Sequence, residues 1–391
     1  MAVWPESAES TGLQLVERSS ADEYSDLPEI TVFPAPDDIH FSPEQLVNFE
    51  ISLVKGLIRG GLSQARLHLL PHRNDDTSRG IETRIIRAED SERLVLVSEP
   101  DPALGYNPSE ATNYVFIPGL GEIDCGPYGS STINRLHAEF AERHPDARTV
   151  TLTNPGVSHS GPTTSIAEGW NKTTEAIAEQ NLSLVANLAG DADVEFILTS
   201  LGTNIGTHAA YKNISRRAGA LINLAGLTLF SSAVGARNVP EDKKHTEFDA
   251  SDEDYIDGVT KEFFRHMPGD VLRMLKRNPE VASESLVGFV AYALALHKAP
   301  RRIAAIGGNL RSAQKGIEYD HLSAVTEFLP VNVVSGADDP LWIAQKPQWM
   351  SLSENAKRLK LHQLEGYGHA LTVDSELAVD HFDLMRPLFA V

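Results

Sequence analysis

Apolar residues recur along this chain in two rhythms, and the change from one to the other divides it. Residues 1–40 are polar, acidic and punctuated by proline, and read as a flexible N-terminal extension. From Ser42 to Gly60 the stretch SPEQLVNFEISLVKGLIRG carries apolar positions at helical spacing, with Ser42 as N-cap and Pro43 in the first turn. Short runs at Glu82–Arg87 and Arg93–Val97 predict strands, so 41–112 reads as a helix followed by the first strands. After Asn113, short apolar runs alternate with amphipathic stretches. Tyr114–Ile117, Thr149–Thr153, Val194–Thr199, Leu221–Leu224, Val331–Val334 and Leu359–Leu364 predict strands. Ser130–His144, Glu175–Leu188 and Gly206–Ile214 predict helices. This βαβα order places the chain in the α/β class with a mostly parallel, doubly wound sheet, because each parallel return passes through a crossover. The rhythm lapses between Leu229 and Leu329. There a charged segment gives way to helical patterns at Gly258–Lys276, Ala282–His297 and Ala305–Ile317. The core is therefore expected over 113–229 and 330–391, with 230–329 a helical cap lying over the strand ends.

Composition narrows the function classes. A chain of 391 residues with 41% hydrophobic and 23% charged positions is ordinary globular material and closes a core without staples. Cys125 is the single cysteine, which excludes an intramolecular disulfide and any multi-cysteine metal site. Lys and Arg number 34 against 54 Asp and Glu, a net charge of −20 that repels nucleic acid and anionic membranes. No run of five basic residues offsets it. The longest apolar window, Val287–Leu296, falls short of the roughly 18 residues a membrane helix needs. The opening residues carry no basic region followed by an apolar stretch. The expectation is a cytoplasmic protein acting on a small molecule, with no cofactor, no metal, no nucleic-acid partner and no membrane insertion; homo-oligomer formation stays open.

Open α/β sheets place ligands beyond the carboxyl ends of their strands. Three such ends carry Ser, Asp and His, in that chain order. Phe196-Ile197-Leu198-Thr199-Ser200-Leu201-Gly202-Thr203 runs a strand into Ser200 shortly before a helix. A nucleophile on a tight strand-to-helix turn is exposed, and the helix N-terminus stabilises negative charge beside it. Gly202 meets the small-x-Ser-x-small spacing, whereas Leu198 stands where glycine is usual. A second register puts Gly202 at the apex, flanked by Ser200 and Asn204, and contains no nucleophile. Past the next motif strand come Asp338 and Asp339, where an acid can accept an imidazole Nδ1–H and fix its tautomer. Asp339 is favoured, with Asp338 the alternative, and Asp-Asp-Pro is equally an ordinary turn. His369 follows Leu359–Leu364 in a loop loosened by Gly366 and Gly368. His159, in a polar loop, and His208, in the helix after Ser200, compete with it. Finally, Pro118-Gly119-Leu120-Gly121 follows the first core strand, and the backbone N–H groups of Leu120 and Leu201 would aim two donors at an oxyanion. The same four residues also make a plain turn.

Taken together, these motifs resemble the α/β-hydrolase superfamily from about Asn113 onward, with the cap inserted between strands six and seven. Ser200-Leu201-Gly202 looks like its nucleophile elbow, Asp339 like its acid, Gly366–His369 like its histidine loop, and Pro118–Gly121 like its oxyanion loop, with proline where histidine is usual. Asn154-Pro155-Gly156-Val157-Ser158-His159-Ser160 is similar to the loop after its fourth strand, a feature of fold rather than activity. A serine at the apex disfavours the dehalogenase and epoxide-hydrolase branches, which use aspartate there. The resemblance implies a serine hydrolase cleaving a carboxylic ester through an acyl-enzyme on Ser200, with His369 as base and Asp339 as orienting acid. A thioesterase, lactonase or peptidase would use the same groups, and a catalytically silent binding protein is the rival from another class. Phe263, Phe264, Met267, Phe289 and Tyr292 would line a pocket in the cap or pack it on the core, and Trp342 would border the cleft.

Overall fold

Among the described residues of a computed structural model, nine strands form one sheet. The structure describes residues 30–33, 43–69, 82–88, 91–104, 111–119, 132–152, 154, 174–216, 219–232, 236–237, 265–266, 268–296, 303–304, 307–308, 317–356, 358–369, 372 and 375–385. In chain order the sheet strands are β1 (Ile30–Phe33), β2 (Glu82–Ala88), β3 (Ser91–Ser98), β4 (Asn113–Ile117), β5 (Arg148–Leu152), β6 (Asp193–Thr199) and β7 (Asn223–Phe230). β8 (Ala236–Arg237) and β9 (Ile317–Glu318) form a separate small pair, and β10 (Val331–Gly336) and β11 (Leu359–Leu364) complete the main sheet. Their spatial order is β1-β11-β10-β7-β6-β4-β5-β3-β2. All neighbours run parallel except at one end, where β3 is antiparallel to β5 and β2 to β3.

The central strands are mostly apolar, rather than alternating, because both faces of the sheet are covered. Every residue of β4 and β10 is buried. The period of two still sorts the side chains: Val115, Ile117, Phe196 and Leu198 join one core, while Tyr114, Phe116 and Ile197 join the other. Helices α3 (Thr174–Ala189), α4 (Leu201–Ser215), α6 (Tyr319–Phe328) and α7 (Pro340–Asn355) contribute to the first core. α2 (Thr132–Arg143) and α8 (Ser375–Met385) contribute to the second, where Tyr114, Phe140 and Phe382 meet edge to face.

Three expectations need correction. The extension expected over 1–40 contains β1, whose backbone pairs with β11 and whose Phe33 is buried. Four residues ending in one buried aromatic are too short a run to register as a strand. The insertion is also narrower than 230–329. β7 continues to Phe230, and α6 packs on α4 with Tyr319, Leu322 and Val325 in the sheet's own core. The pairing of Ala236–Arg237 with Ile317–Glu318 closes the insertion at its base, so Ile317 is in a strand rather than at the end of a helix. The rest of the helix expected over Ala305–Ile317 lies largely outside the described residues.

Within the insertion, a helical stretch over 268–277 is followed after Asn278 by α5 (Pro279–Leu296). The N-terminal helix, α1 (Pro43–Leu69), packs along α5. Gly56 makes the close crossing: a methyl group there would overlap the Glu280 carbonyl and the Ser283 hydroxyl, which itself donates to the Leu53 carbonyl at 3.2 Å. Among the described residues no helix is long and apolar enough to cross a membrane.

Candidate active site

Ser200 sits between the last residue of β6 and the first of α4, with φ 47° and ψ −119°. A non-glycine residue pays for that left-handed φ in backbone strain, and the turn persists because both flanking elements hold it. The Ser200 N–H donates to the Phe230 carbonyl on β7 (3.1 Å), while its own carbonyl accepts from the Thr203 N–H (2.9 Å) and hydroxyl (2.6 Å). Ser200, not Gly202, is therefore the apex. Gly202 lies in the first turn of α4, and its missing side chain lets the helix touch the Ile117 carbonyl on β4.

Leu198 was the departure from the expected elbow, and the structure explains how the turn absorbs it. Gly206, in the second turn of α4, lies against the terminal methyls of Leu198, and a Cβ at 206 would overlap them. Leu198 is fully buried in that notch. The space that the usual pattern frees by a small residue on the strand is freed here by a small residue on the helix.

Three side chains meet above the carboxyl ends of β6, β10 and β11. His369 Nε2 lies 2.9 Å from Ser200 Oγ, and His369 Nδ1 lies 2.9 Å from Asp339 Oδ2. Asp339 is wholly buried; its other carboxylate oxygen accepts the Leu341 N–H at 2.9 Å, capping α7, with Pro340 in the first turn. Two fixed donors thus orient one carboxylate. Asp338 points elsewhere, half exposed and paired with Arg273 at 3.3 Å. Gly336 allows the acid and histidine loops to approach, since a side chain there would overlap the Tyr367 carbonyl.

Of the two expected oxyanion donors, Leu201 is the first residue of α4, where backbone N–H groups lack helical partners. Leu120 lies outside the described residues. The loop leading to it is pinned from two sides. Thr199 Oγ1 accepts the Gly119 N–H at 2.9 Å, and the buried Asn154 side chain donates to the Pro118 carbonyl at 2.8 Å. Gly119 is pressed so close that a Cβ there would sit 2.7 Å from that of Ser200. Sequence reasoning gave Thr199 no role and quoted Asn154 only within the loop similar to the one after the family's fourth strand; in the structure both hold the Pro118–Gly119 backbone. Sequence reasoning also passed over Asp270, whose Oδ2 accepts the His369 backbone N–H at 3.1 Å from the insertion.

The remaining expectations divide. His208 is buried in α4 with its ring edge-on to His321 at 5.2 Å, a packing position. Trp342 does not border a cleft: it is buried in the core, its indole N–H donating to Gln363 at 3.1 Å. One turn of helix after Asp339 rotates it inward. His159, Phe263, Phe264, Met267 and the side chains of Phe289 and Tyr292 lie outside the described residues. Among those described, no cluster of His, Cys, Asp and Glu is arranged to hold a metal ion.

By sequence the chain matches no family profile and no curated protein. Solved structures are similar in three dimensions. The carboxylesterase CesB of Bacillus subtilis shares 14% identity at a TM-score of 0.51, covering 87% of this chain and 99% of its own. The Cif epoxide hydrolase of Acinetobacter nosocomialis shares 13% at 0.52, covering 91% and 99%. MGS-M2, an α/β-hydrolase enzyme from a Medee basin deep-sea metagenome library, shares 14% at 0.50, covering 79% and 98%.

Proposed function

We propose that this chain, whose fold is that of the α/β hydrolases, is a serine hydrolase that cleaves a carboxylic ester. The observation that carries the reading is the unbroken hydrogen-bonded path from Asp339 through His369 to Ser200, with the serine on a strained strand-to-helix turn. Neutral His369 takes the hydroxyl proton as Ser200 Oγ attacks the ester carbonyl, and the buried Asp339 carboxylate steadies the imidazolium. The Leu201 N–H, at the positive end of α4, faces the charge that develops on the carbonyl oxygen. Collapse of the tetrahedral adduct breaks the bond to the alkoxy group, which leaves with the proton from His369. A water then enters, His369 removes its proton, and the acid departs while Ser200 recovers its hydrogen. Carboxylesterase CesB among the similar structures agrees with an ester as substrate.

A fluorophosphonate probe tests the reading directly. The purified protein is expected to be labelled covalently and to hydrolyse p-nitrophenyl esters in preference to thioesters, and Ser200→Ala is expected to lose both properties. Absence of labelling in the parent protein would sink the assignment.

A further inference from the structure

A helix of the insertion is fastened to the two loops that bear the acid and the base. Asp270 is almost fully buried although it lies outside the sheet domain, and its carboxylate serves two donors. Oδ2 accepts the His369 backbone N–H at 3.1 Å, and Oδ1 accepts from the Arg273 guanidinium. That guanidinium also reaches Asp338, the neighbour of Asp339, at 3.3 Å. One turn further, the Arg277 guanidinium lies over the Tyr367 ring at 3.7 Å from its centroid. The contact is built for close approach: a side chain on Gly368 would overlap the Asp270 carboxylate. These contacts are unequal. The Arg273–Asp338 pair is more than a third exposed at both ends, so water and salt screen it, whereas the bond from Asp270 to His369 is shielded and charge-assisted.

We propose that Asp270 is a positioning residue for His369, holding the histidine loop so that its imidazole stays in line between Ser200 and Asp339. The inference rests on the serine-hydrolase reading above. Its physical content is that the loop after β11 carries two glycines, Gly366 with φ 71°, and has little stiffness of its own. The Asp338 N–H holds the Tyr367 carbonyl at 2.9 Å, and the carboxylate adds a restraint two residues on, at the backbone of the base itself. A displacement of about 1 Å in a reacting group can cost two orders of magnitude in rate, so a single hydrogen bond placed there has leverage beyond its own strength. Docking of the 268–277 helix and alignment of the base then become one event.

The test compares the parent with Asp270→Ala and Asp270→Asn, in which the amide oxygen can still accept the His369 N–H. The second-order rate of fluorophosphonate labelling and the separate kcat and KM for a p-nitrophenyl ester are measured, with thermal melts as a check on folding. Asp270→Ala is expected to label at least ~10-fold more slowly and to lose kcat with KM little changed, while Asp270→Asn recovers most of the rate. Backbone hydrogen exchange gives a readout independent of turnover: the His369 amide is expected to lose protection in the alanine variant and to keep it in the asparagine variant. Equal labelling and equal amide protection in all three proteins would overturn the proposal. A parent that does not label would overturn the hydrolase reading, and the exchange arm would then decide alone whether Asp270 restrains the loop. An Asp270→Ala protein that fails to fold leaves the decision to Asp270→Asn and to Gly368→Ala. That wedge is expected to slow labelling, and parent-like labelling in it counts against the restraint.

Discussion

At the scale of single residues, the site depends on who is small. Leu198 fills a notch on α4 that exists because residue 206 is glycine. Gly206→Ala is therefore expected to destabilise the protein by about 1–3 kcal/mol through overpacking, against an ordinary helix gain of about 1 kcal/mol. Leu198→Ala should erase that penalty, since the new methyl enters vacated space. Urea unfolding of the two single variants and the double closes the cycle, and additive effects would refute the coupling. The same pair shows where reading the sequence stops. Ser200, Asp339 and His369 were legible because each follows an apolar run that could be recognised as a strand. Gly206, Thr199, Asn154 and Asp270 were not, because their roles arise only when distant segments touch. Asn154 and Pro118, or Asp270 and His369, have no spacing rule that links them.

At the scale of elements, the central sheet strands and α2, α3 and α4 followed from hydrophobic period, whereas β1, α7 and α8 were not read from it, and boundaries shifted where chemistry disguised them. α4 starts at Leu201 rather than Gly206 because Gly202 and Thr203 look like turn residues, yet Gly202 is there for contact with β4. α6 was passed over although Tyr319, Leu322 and Val325 recur at helical spacing, because the insertion was drawn as far as Leu329 and its helices ended at Ile317. The N-terminal helix had no assigned neighbour in sequence; in the structure it lies against α5 with Gly56 at the crossing. Gly56→Ala discriminates between propensity and packing. In an isolated helix it would stabilise by roughly 1 kcal/mol. Here the methyl meets the backbone of Glu280, which cannot rotate away, so the net effect is expected to be a loss of about 1–3 kcal/mol. A raised melting temperature would show that α1 and α5 do not cross this closely.

For the molecule as a whole, buried histidines are expected to contribute to the loss of stability in acid. His137 is sealed between the hydroxyls of Ser98 (3.0 Å) and Thr151 (2.8 Å), and burial lowers its pKa to about 3. Burial likewise lowers His362 to about 4, and His381 shifts in the same direction. An unfolded histidine binds its proton near pH 6.5, so below that value the unfolded state gains protons that the folded state refuses. Stability is expected to be insensitive to these groups above about pH 6.5 and to fall as pH drops toward 4, with His137 contributing a slope that approaches about 1.4 kcal/mol per pH unit once its unfolded form is protonated. His137→Gln, which can still meet both hydroxyls, should shallow the curve of urea midpoint against pH; an unchanged curve would remove His137 from the explanation.

The edge strand β1 carries a consequence for how the molecule is made. Its partner β11 is synthesised almost at the end of the described core, and beyond the pair the Glu365 N–H donates to the Phe33 carbonyl at 2.9 Å, at the root of the histidine loop. Ile30–Phe33 must leave the ribosome early and wait, unpaired, until nearly everything else has emerged. The last hydrogen bonds to form along that edge are the ones nearest the base, so a nascent chain can acquire its scaffold well before it can acquire activity.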